Sequence, residues 1–190
     1  LSIHGNAVSK DFAASAAQSG KTLAAAINAE SGNTGVKAEA KTYAKLLSTA
    51  ASATYSITLN GTSTGNFAIG STSVGDAVTK INQISGTTGV TAAASSDGSF
   101  VTLHHAQGED ITIINDSAGT DLDVVAVGYD GKTAGATVIS LAATAGNDST
   151  SVQGNVQLSS SKTFSVTQSG TAALGYFVTG SGSLSTISNV

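Results

Sequence analysis

The sequence contains no cysteine, proline, methionine or tryptophan, and these absences restrict what the chain can do. Without cysteine there can be no disulfide, no iron–sulfur cluster and no thiol chemistry. Without proline, no slow isomerisation of an X-Pro bond can delay folding. We hypothesise that this favours a chain that leaves the cell unfolded and folds promptly outside it.

Arginine is also missing, and few charges remain. The basic residues are all lysines, the formal net charge is −4, and charged residues make up 11% of the chain, against about 25% in an average soluble domain. Nucleic-acid binding needs a dense basic surface, and binding to a membrane surface needs a basic amphipathic stretch. The composition therefore predicts neither a nucleic-acid partner nor a membrane partner.

The apolar residues are spread along the chain in short runs. None of these runs approaches the roughly 18 residues of a membrane span, and no signal peptide is visible at Leu1. Since Leu1-Ser2-Ile3 is already strand-like, we expect an internal segment of a longer protein. With 190 residues, 40% of them hydrophobic, the chain can bury a core as one domain or two small ones.

The sequence repeats itself at an offset of 54 residues, the distance from Ile27 to Ile81. Three stretches match at this offset without a gap: Ser2-Ile3 with Ser56-Ile57, Ile27-Asn28 with Ile81-Asn82, and Thr34-Gly35-Val36 with Thr88-Gly89-Val90. A repeat of this length is one supersecondary unit present twice. We therefore predict two similar tandem subdomains, each a small sheet with one helix across it.

The second repeat shows the predicted elements most clearly. Residues 55–59 alternate apolar and polar side chains like a half-buried strand, Asn60-Gly61 is a turn dipeptide, and residues 67–69 continue as a partner strand. Ser73 with Asp76 forms a capping-box variant at a helix N-terminus, and Gly86 is a candidate C-cap. The apolar stripe of this helix is Val74, Ala77, Val78, Ile81 and Ile84.

Further strands are predicted along the rest of the chain. They cover residues 90–94, 100–103 after an Asp97-Gly98 turn, 111–114, 124–127, 138–141, 152–158, 164–166 and 176–178. The first repeat follows the same plan, with a helix near residues 22–29. The predicted fold class is α+β, mainly antiparallel β with one short helix per repeat.

The repeated pattern resembles the flagellin IN motif. The resemblance lies in the order Ile-Asn, then Ser-Gly-x-Thr-Gly-Val-x-Ala, then Asp-Gly-x-apolar-x-Leu. The copies here are Ile27-Asn28 with residues 34–38, and Ile81-Asn82 with residues 88–92 and 97–103. The motif is found in the variable region of flagellins and in related hook-associated and filament-cap proteins. The tail, residues 152–190, resembles the segment leading into the C-terminal helices of flagellins.

The resemblance implies a structural protein, not an enzyme. It would be the surface-exposed, hypervariable part of a flagellin, secreted into the extracellular bacterial flagellar filament and contributing to motility and antigenicity. Its partners would be other flagellin subunits, mainly through terminal helices missing here, with host receptors or antibodies as further candidates. No catalytic residue, cofactor or metal is implied. The alternatives are a hook-associated or filament-cap protein, and a surface adhesin or carbohydrate-binding module.

The resemblance also implies how the chain is divided. In flagellins the outer domains are inserted between two arms of the filament core, so Leu1 and Val190 should lie close together, with strands near both ends in one sheet. We expect residues 1–48 and 150–190 to form a discontinuous, membrane-distal base subdomain, similar to the D2 domain of flagellins. Residues 49–149 would form an inserted second outer subdomain.

Two clusters suggest chemistry but have simpler interpretations. His104-His105 with Glu109-Asp110 suggests a metal site, yet adjacent residues on a strand point to opposite faces, and a zincin needs His-Glu-x-x-His on a helix. We predict solvated strand and turn residues. Gly20-Lys21-Thr22 looks like the end of a phosphate loop, but Ser15 occupies the position of its first glycine, so we predict a helix start.

The remaining candidates are loop and sheet residues. Asp121-Leu122-Asp123 gives a calcium loop two ligands and no closing carboxylate, and Gly180-Ser-Gly-Ser183 lacks the strand–elbow–helix context of a nucleophilic serine. The aspartates predicted to be solvated loop carboxylates are Asp116, Asp121, Asp123 and Asp130. The tyrosines predicted to be half-buried sheet residues, not a platform for sugars, are Tyr43, Tyr55, Tyr129 and Tyr176.

The surface is rich in hydroxyl groups and could be modified. Serine and threonine can accept O-linked glycans, and Asn147-Asp148-Ser149 fits the sequon for an N-linked glycan. An unmodified polar coat explains the composition equally well, so the sequence leaves both interpretations open.

Overall fold

The computed structural model describes residues 1–6, 8–13, 15, 18–50, 52–143 and 146–167. It is mainly antiparallel β-sheet with short helices, which confirms the predicted α+β class. The strands are β1 (Ser2–Gly5), β2 (Val8–Asp11), β3 (Val36–Ser48), β4 (Ser52–Leu59), β5 (Thr62–Gly70), β6 (Val90–Ala94), β7 (Val101–His105), β8 (Ile111–Asn115), β9 (Leu122–Val127), β10 (Ala134–Leu141), β11 (Ser149–Val152), β12 (Asn155–Ser160) and β13 (Phe164–Thr167). The helices are α1 (Gly20–Ala29), α2 (Ser31–Thr34), α3 (Gly75–Gln83) and α4 (Ser85–Thr88).

Both repeats have the same order of elements. A hairpin, a helix, a four-residue helix and a strand follow one another as β1–β2, α1, α2 and β3, and again as β4–β5, α3, α4 and β6. Asn6 and Asn60, which are equivalent at the 54-residue offset, both adopt positive φ, at 49° and 45°. The element order agrees with the duplication inferred from the sequence, and each repeat adds a four-residue helix to the single helix expected.

The predicted N-cap of α3 is wrong. The helix begins at Gly75, so Val74 and not Ser73 holds the cap position, and no side chain caps the first turn. Asp76 instead accepts a hydrogen bond from the backbone N–H of Ala68 in β5, at 2.8 Å. The carboxylate therefore fastens the helix to its neighbouring strand instead of closing the helix end.

The predicted C-cap of α3 is also wrong. Gly86 lies inside α4, and Gly89, with φ of 71°, ends the helical segment in the left-handed conformation. The predicted apolar stripe is confirmed, because three of its members are buried and Val78 and Ile84 pack partly buried against the same core.

Strand β3 belongs to two hydrophobic cores. Val36, Ala38 and Ala40 point into the first core, which forms around α1. Ala44 and Leu46 point into the second core, which forms around α3. Side chains on one face of a strand recur at every second residue, so the position between the two sets is residue 42. We call the parts of the chain around these cores the first and second lobes.

Strand pairing changes at the same position. From Val36 to Lys41, β3 pairs with β12; it pairs with β7 from Thr42 and with β9, on the other side, from Tyr43. This gives a six-stranded sheet in which β10, β9, β3, β7 and β6 are neighbours in that order, with β12 on the other half of β3. Two smaller sheets have the orders β13-β1-β2 and β11-β8-β4-β5.

Strands β3 and β6, which follow the helices in the first and second repeats, pair with different kinds of partner. In the second repeat β6 pairs with β7, which follows it directly, with Val90 opposite His105. In the first repeat the equivalent Val36 lies opposite Ser160 of β12, after the whole second lobe. The second lobe is thus inserted where a short hairpin connection would otherwise stand.

The two ends of the described chain share a sheet, as expected. β1 pairs antiparallel with β13, from Ser2 opposite Thr167 to Gly5 opposite Phe164. Val190 and the predicted strand at 176–178 lie outside the described residues. The predicted strand at 152–158 is wrong as one element, because Gln153 and Gly154 separate β11 from β12.

Within the described parts of the chain, every helix is too short or too polar to cross a bilayer. The division into residues 1–48 with 150–190 and residues 49–149 stays a prediction. The two cores give it a physical basis, although Val152 of β11 packs in the second core and Val156 of β12 in the first.

We predict that Ile27→Ala and Ile81→Ala each lower the free energy of unfolding by about 2–5 kcal/mol, because each removes a fully buried side chain from one core. Urea unfolding measures the change. Val138→Ala is the control, since Val138 is 57% exposed, and it should change the free energy by less than about 0.5 kcal/mol. Equal effects of all three variants would contradict the assignment of the cores.

Candidate functional site

The asparagine of each Ile-Asn pair fastens its helix to the strand that follows. Asn28 Nδ2 donates to the carbonyl of Ala38 at 2.8 Å, and Asn28 Oδ1 accepts from the Ala38 N–H at 2.8 Å. Asn82 makes the same two bonds with Ala92, at 2.9 and 2.8 Å. A side-chain amide carries both a donor and an acceptor. It therefore pairs with the strand backbone as a neighbouring strand would.

The isoleucine of each pair anchors the same helix from the other side. Ile27 and Ile81 are fully buried, whereas the adjacent asparagines stay near the surface. Successive residues of a helix project about 100° apart. The isoleucine can therefore enter the core while the asparagine after it reaches the backbone of the neighbouring strand. The Ile-Asn dipeptide is thus a buried anchor next to a surface clamp.

The Thr-Gly-Val sequence turns the chain from helix to strand in both repeats. Thr34 Oγ1 donates to the Glu30 carbonyl at 3.0 Å and accepts from the Val36 N–H at 3.2 Å. Thr88 does the same with Ile84 and Val90, at 3.1 and 3.2 Å. The glycine between them is left-handed in each copy, as helix C-caps commonly require.

The two lobes are joined by the turn of residues 106–110, which follows β7. The Lys21 N–H at the start of α1 donates to the Gly108 carbonyl at 2.9 Å, and Lys21 Nζ lies 3.1 Å from Glu109 Oε1. Thr42 Oγ1 donates to the Glu109 carbonyl at 2.6 Å. The turn therefore contacts both α1 and Thr42, the residue at which β3 passes from the first core to the second. We call it the junction turn.

Close backbone packing completes the junction. Gly108 has φ of 72°, and a Cβ added to it would overlap the Cβ of Ala40. A Cβ on Gly154 would overlap the Gly108 carbonyl oxygen, and one on Gly20 would come within 2.7 Å of the Gly154 oxygen. Three backbone segments therefore meet here with no side chain between them, which glycine alone permits.

The pKa values of the two carboxyl groups at the junction, Glu109 and Asp110, are shifted in opposite directions. A hydrogen bond from Ser19, together with the Lys21 ammonium, lowers the pKa of Glu109, whereas burial raises the pKa of Asp110. Both carboxylates border a shallow polar groove of about 640 Å³. Its lining residues are Ser15, Gln18, Ser19, Thr22, Asn60, Glu109, Asp110 and Thr112.

The two adjacent histidines point to opposite faces of the sheet, as expected, but the prediction of solvated residues is wrong for His105, which is buried. His105 is 8% exposed and faces the junction, whereas His104 stacks on Tyr43 with ring centroids 4.3 Å apart. The described residues contain no group of three or more His, Asp or Glu side chains placed to hold a metal ion. The predicted lack of metal ligands stays a prediction.

Among the three tyrosines that the structure describes, only Tyr43 matches the predicted half-buried sheet position. Tyr55 is fully buried, and Tyr129 lies in the turn after β9 with Lys41 Nζ 4.9 Å from its ring centroid. Tyr43 has His104 against its ring, and Gly131 also lies beside that ring. Tyr176 lies outside the described residues.

Of the four predicted loop carboxylates, three lie in loops, but the prediction is wrong for Asp123, which lies in strand β9. Asp130 accepts from the Thr133 side chain and from two backbone N–H groups, which lowers its pKa to about 2. Asp121 accepts from the Ala143 N–H at 3.0 Å, and Asp116 from the Thr58 hydroxyl at 2.7 Å.

The other candidates are placed as follows. Gly20 begins α1 with Ser19 as N-cap, so the predicted helix start is confirmed. Asn147 of the sequon is exposed, and the serines of Gly180–Ser183 lie outside the described residues. The junction residues Thr42, Gly108 and Gly154 are missing from the sequence-based candidates. One signal was present, because Thr42 interrupts the apolar alternation of β3.

The fold and the repeated clamp define a duplicated α+β structural module. The sequence profile of the Flagellin hook IN motif family matches residues 1–52 and 56–104, one match per repeat and together more than half of the chain. The chain therefore belongs to this family of flagellar structural proteins, as the resemblance implied. No curated protein matches the sequence.

We predict that Asn82→Ala lowers the free energy of unfolding by about 1–2 kcal/mol, because two exposed hydrogen bonds are lost. Asn82→Asp should be at least as destabilising, since it keeps the acceptor but sets an oxygen against the Ala92 carbonyl. Gln83→Ala, at the adjacent exposed position of α3, is the matched control and should change the value by less than about 0.5 kcal/mol. If Asn82→Ala behaves like this control, the clamp contributes nothing.

We also predict that Gly108→Ala is more destabilising than Gly119→Ala. Both glycines have positive φ, at 72° and 79°, but only Gly108 lacks room for a Cβ. The left-handed conformation costs alanine about 1–2 kcal/mol at either site, and overpacking at Gly108 should add about 1–3 kcal/mol. Chemical denaturation of the two variants separates these contributions, and equal losses would show that the junction is not tightly packed.

Proposed function

We propose that this chain forms the surface-exposed outer domains of a flagellin, a structural subunit of the extracellular flagellar filament that contributes to motility and antigenicity. The observation that carries the proposal is the tandem pair of family units, each with its Ile-Asn clamp. Its mechanism is mechanical, since the lobes would present a folded surface while other segments of the subunit polymerise.

The pairing of β1 with β13 supports an insertion between two polymerising arms. Antiparallel pairing of these strands brings the start of the chain beside residue 167. A domain whose entry and exit lie together can stand on a polymer without interrupting the segments on either side. The same arrangement suits the base subdomain of residues 1–48 and 150–190, with 49–149 as the inserted second outer subdomain.

The connection between the lobes supports a mechanical role. A single strand, β3, contributes side chains to both cores. At the boundary between them, Thr42 donates a hydrogen bond to the junction turn. An outer domain on a rotating filament experiences drag, so a stiff connection keeps the distal lobe aligned with the proximal one.

The tyrosines do not support the carbohydrate-binding alternative. Sugar stacking needs an open aromatic face, but the described tyrosine rings are buried or contact His104, Gly131 or Lys41. A hook-associated or filament-cap protein is the second candidate, because the family description itself names the hook.

Mass spectrometry and terminal sequencing of the native protein from isolated surface filaments test the proposal. We expect the segment in the most abundant filament band, flanked by long N- and C-terminal helical sequences. Its presence only in a minor tip or hook-junction protein would overturn the filament role in favour of the second candidate. Its presence in a surface protein without such helices would overturn both.

A further inference from the structure

His105 lies behind the junction turn and holds it. Its ring Nδ1 accepts hydrogen bonds from the backbone N–H groups of Gln107 and Glu109, both at 3.4 Å. Its Nε2 lies against Gly89, which ends the helical segment of the second repeat. Because Nδ1 accepts two N–H groups, this arrangement requires an imidazole with Nδ1 unprotonated.

The first repeat has a non-titrating residue at the equivalent position. Ser160 lies opposite Val36 as His105 lies opposite Val90. Ser160 donates to the carbonyl of Gly35, the equivalent of Gly89, at 2.8 Å, and its oxygen accepts from the Lys162 N–H at 3.1 Å. Both residues therefore accept a bond from the N–H two residues later, but only the histidine can change charge near neutral pH.

We propose that His105 is a pH-sensitive latch between the lobes. Its neutral ring holds the junction turn against α1 and β3, and protonation of Nδ1 releases that turn. The protonated ring would point an N–H at two backbone N–H groups, and neither can accept it. The turn must then move, and its bonds to Lys21 and Thr42 are weakened with it.

The charged groups around His105 are few. Glu109 of the junction turn favours the protonated ring, and Lys21 of α1 opposes it. His104 precedes it on the opposite face of β7 and interacts with it electrostatically. The facing residues of β3 and β6 are Thr42 and Val90, which do not titrate. Burial is the largest influence and lowers the pKa of His105 below its usual value.

The direction of the effect follows from that lowered pKa. The unfolded chain takes up the proton more readily than the folded junction, so the stabilisation is complete above the usual histidine pKa of about 6.5. It is lost as the pH falls through the lower pKa of the folded state. The lobes should therefore be rigidly connected at neutral pH and loosely connected in mild acid.

Pulsed electron paramagnetic resonance between two spin labels tests the latch. The chain has no cysteine, so Gly32→Cys and Gly86→Cys give one label on each lobe. Both sites are exposed, and an added Cβ meets no atom within 4 Å. We expect a narrow distance distribution at about pH 7.5 that broadens reversibly towards about pH 5, across the titration range of histidine.

Matched histidine variants assign the response. His105→Gln keeps an acceptor without a titrating group, so its distribution should stay narrow at both pH values. His105→Ser, which copies the first repeat, provides a second variant if the glutamine does not fit. His104→Gln changes the neighbouring ring on the opposite face and should broaden like the unsubstituted chain.

Two results would overturn the latch. One is a distribution of equal width at both pH values in the unsubstituted chain. The other is an acid response that persists in a folded His105→Gln or His105→Ser variant, with folding checked by circular dichroism at each pH. Either result leaves the filament role untouched, because that role does not depend on how the lobes respond to acid.

Discussion

The alternation of side chains along β3 is the constraint on which the rest of the structure depends. A strand exposes the same face at every second residue, so a single strand can serve two cores only if the face is continuous across the boundary. Val36 to Ala40 fill the first core and Ala44 and Leu46 the second. Thr42 marks the boundary, where a buried hydroxyl donates a hydrogen bond to the junction turn.

This constraint explains how one repeat can be inserted into another. In the second repeat, β6 finds its partner in the strand that follows directly. In the first repeat, the equivalent stretch of β3 pairs with β12, which follows the second lobe in the sequence. Because strand pairing depends on backbone geometry and not on chain connectivity, the same unit tolerates both arrangements. The cost is a long-range contact between β3 and β12, which closes a large loop.

The sequence predicted those parts of the fold that depend on local chemistry. The Asn60-Gly61 turn, the apolar stripe of α3 and the strand at Val90 each follow from residues that are neighbours in the chain. The errors occur where a distant group competes. Asp76 bonds to Ala68 and not to its own helix end, and Gly154 breaks the predicted strand at 152–158 because its backbone packs on Gly108.

The roles of the candidate residues show the same limit. The Ile-Asn pair was visible as a motif, but its clamp on Ala38 and Ala92 requires the strand to return beside the helix. Strand alternation was enough to predict that His105 points to the face opposite His104. The contact of His105 with the junction turn was not predictable, because it depends on the meeting of three segments that are far apart in sequence.

Cryo-electron microscopy of the native filament tests the central claim most directly. If this chain is the paired outer region of a filament subunit, two lobes of density should repeat along the outside of the filament wall, with the β1–β13 sheet nearest the core. Density for the chain confined to the filament tip, or a wall in which the second lobe lies nearest the core, would contradict the account.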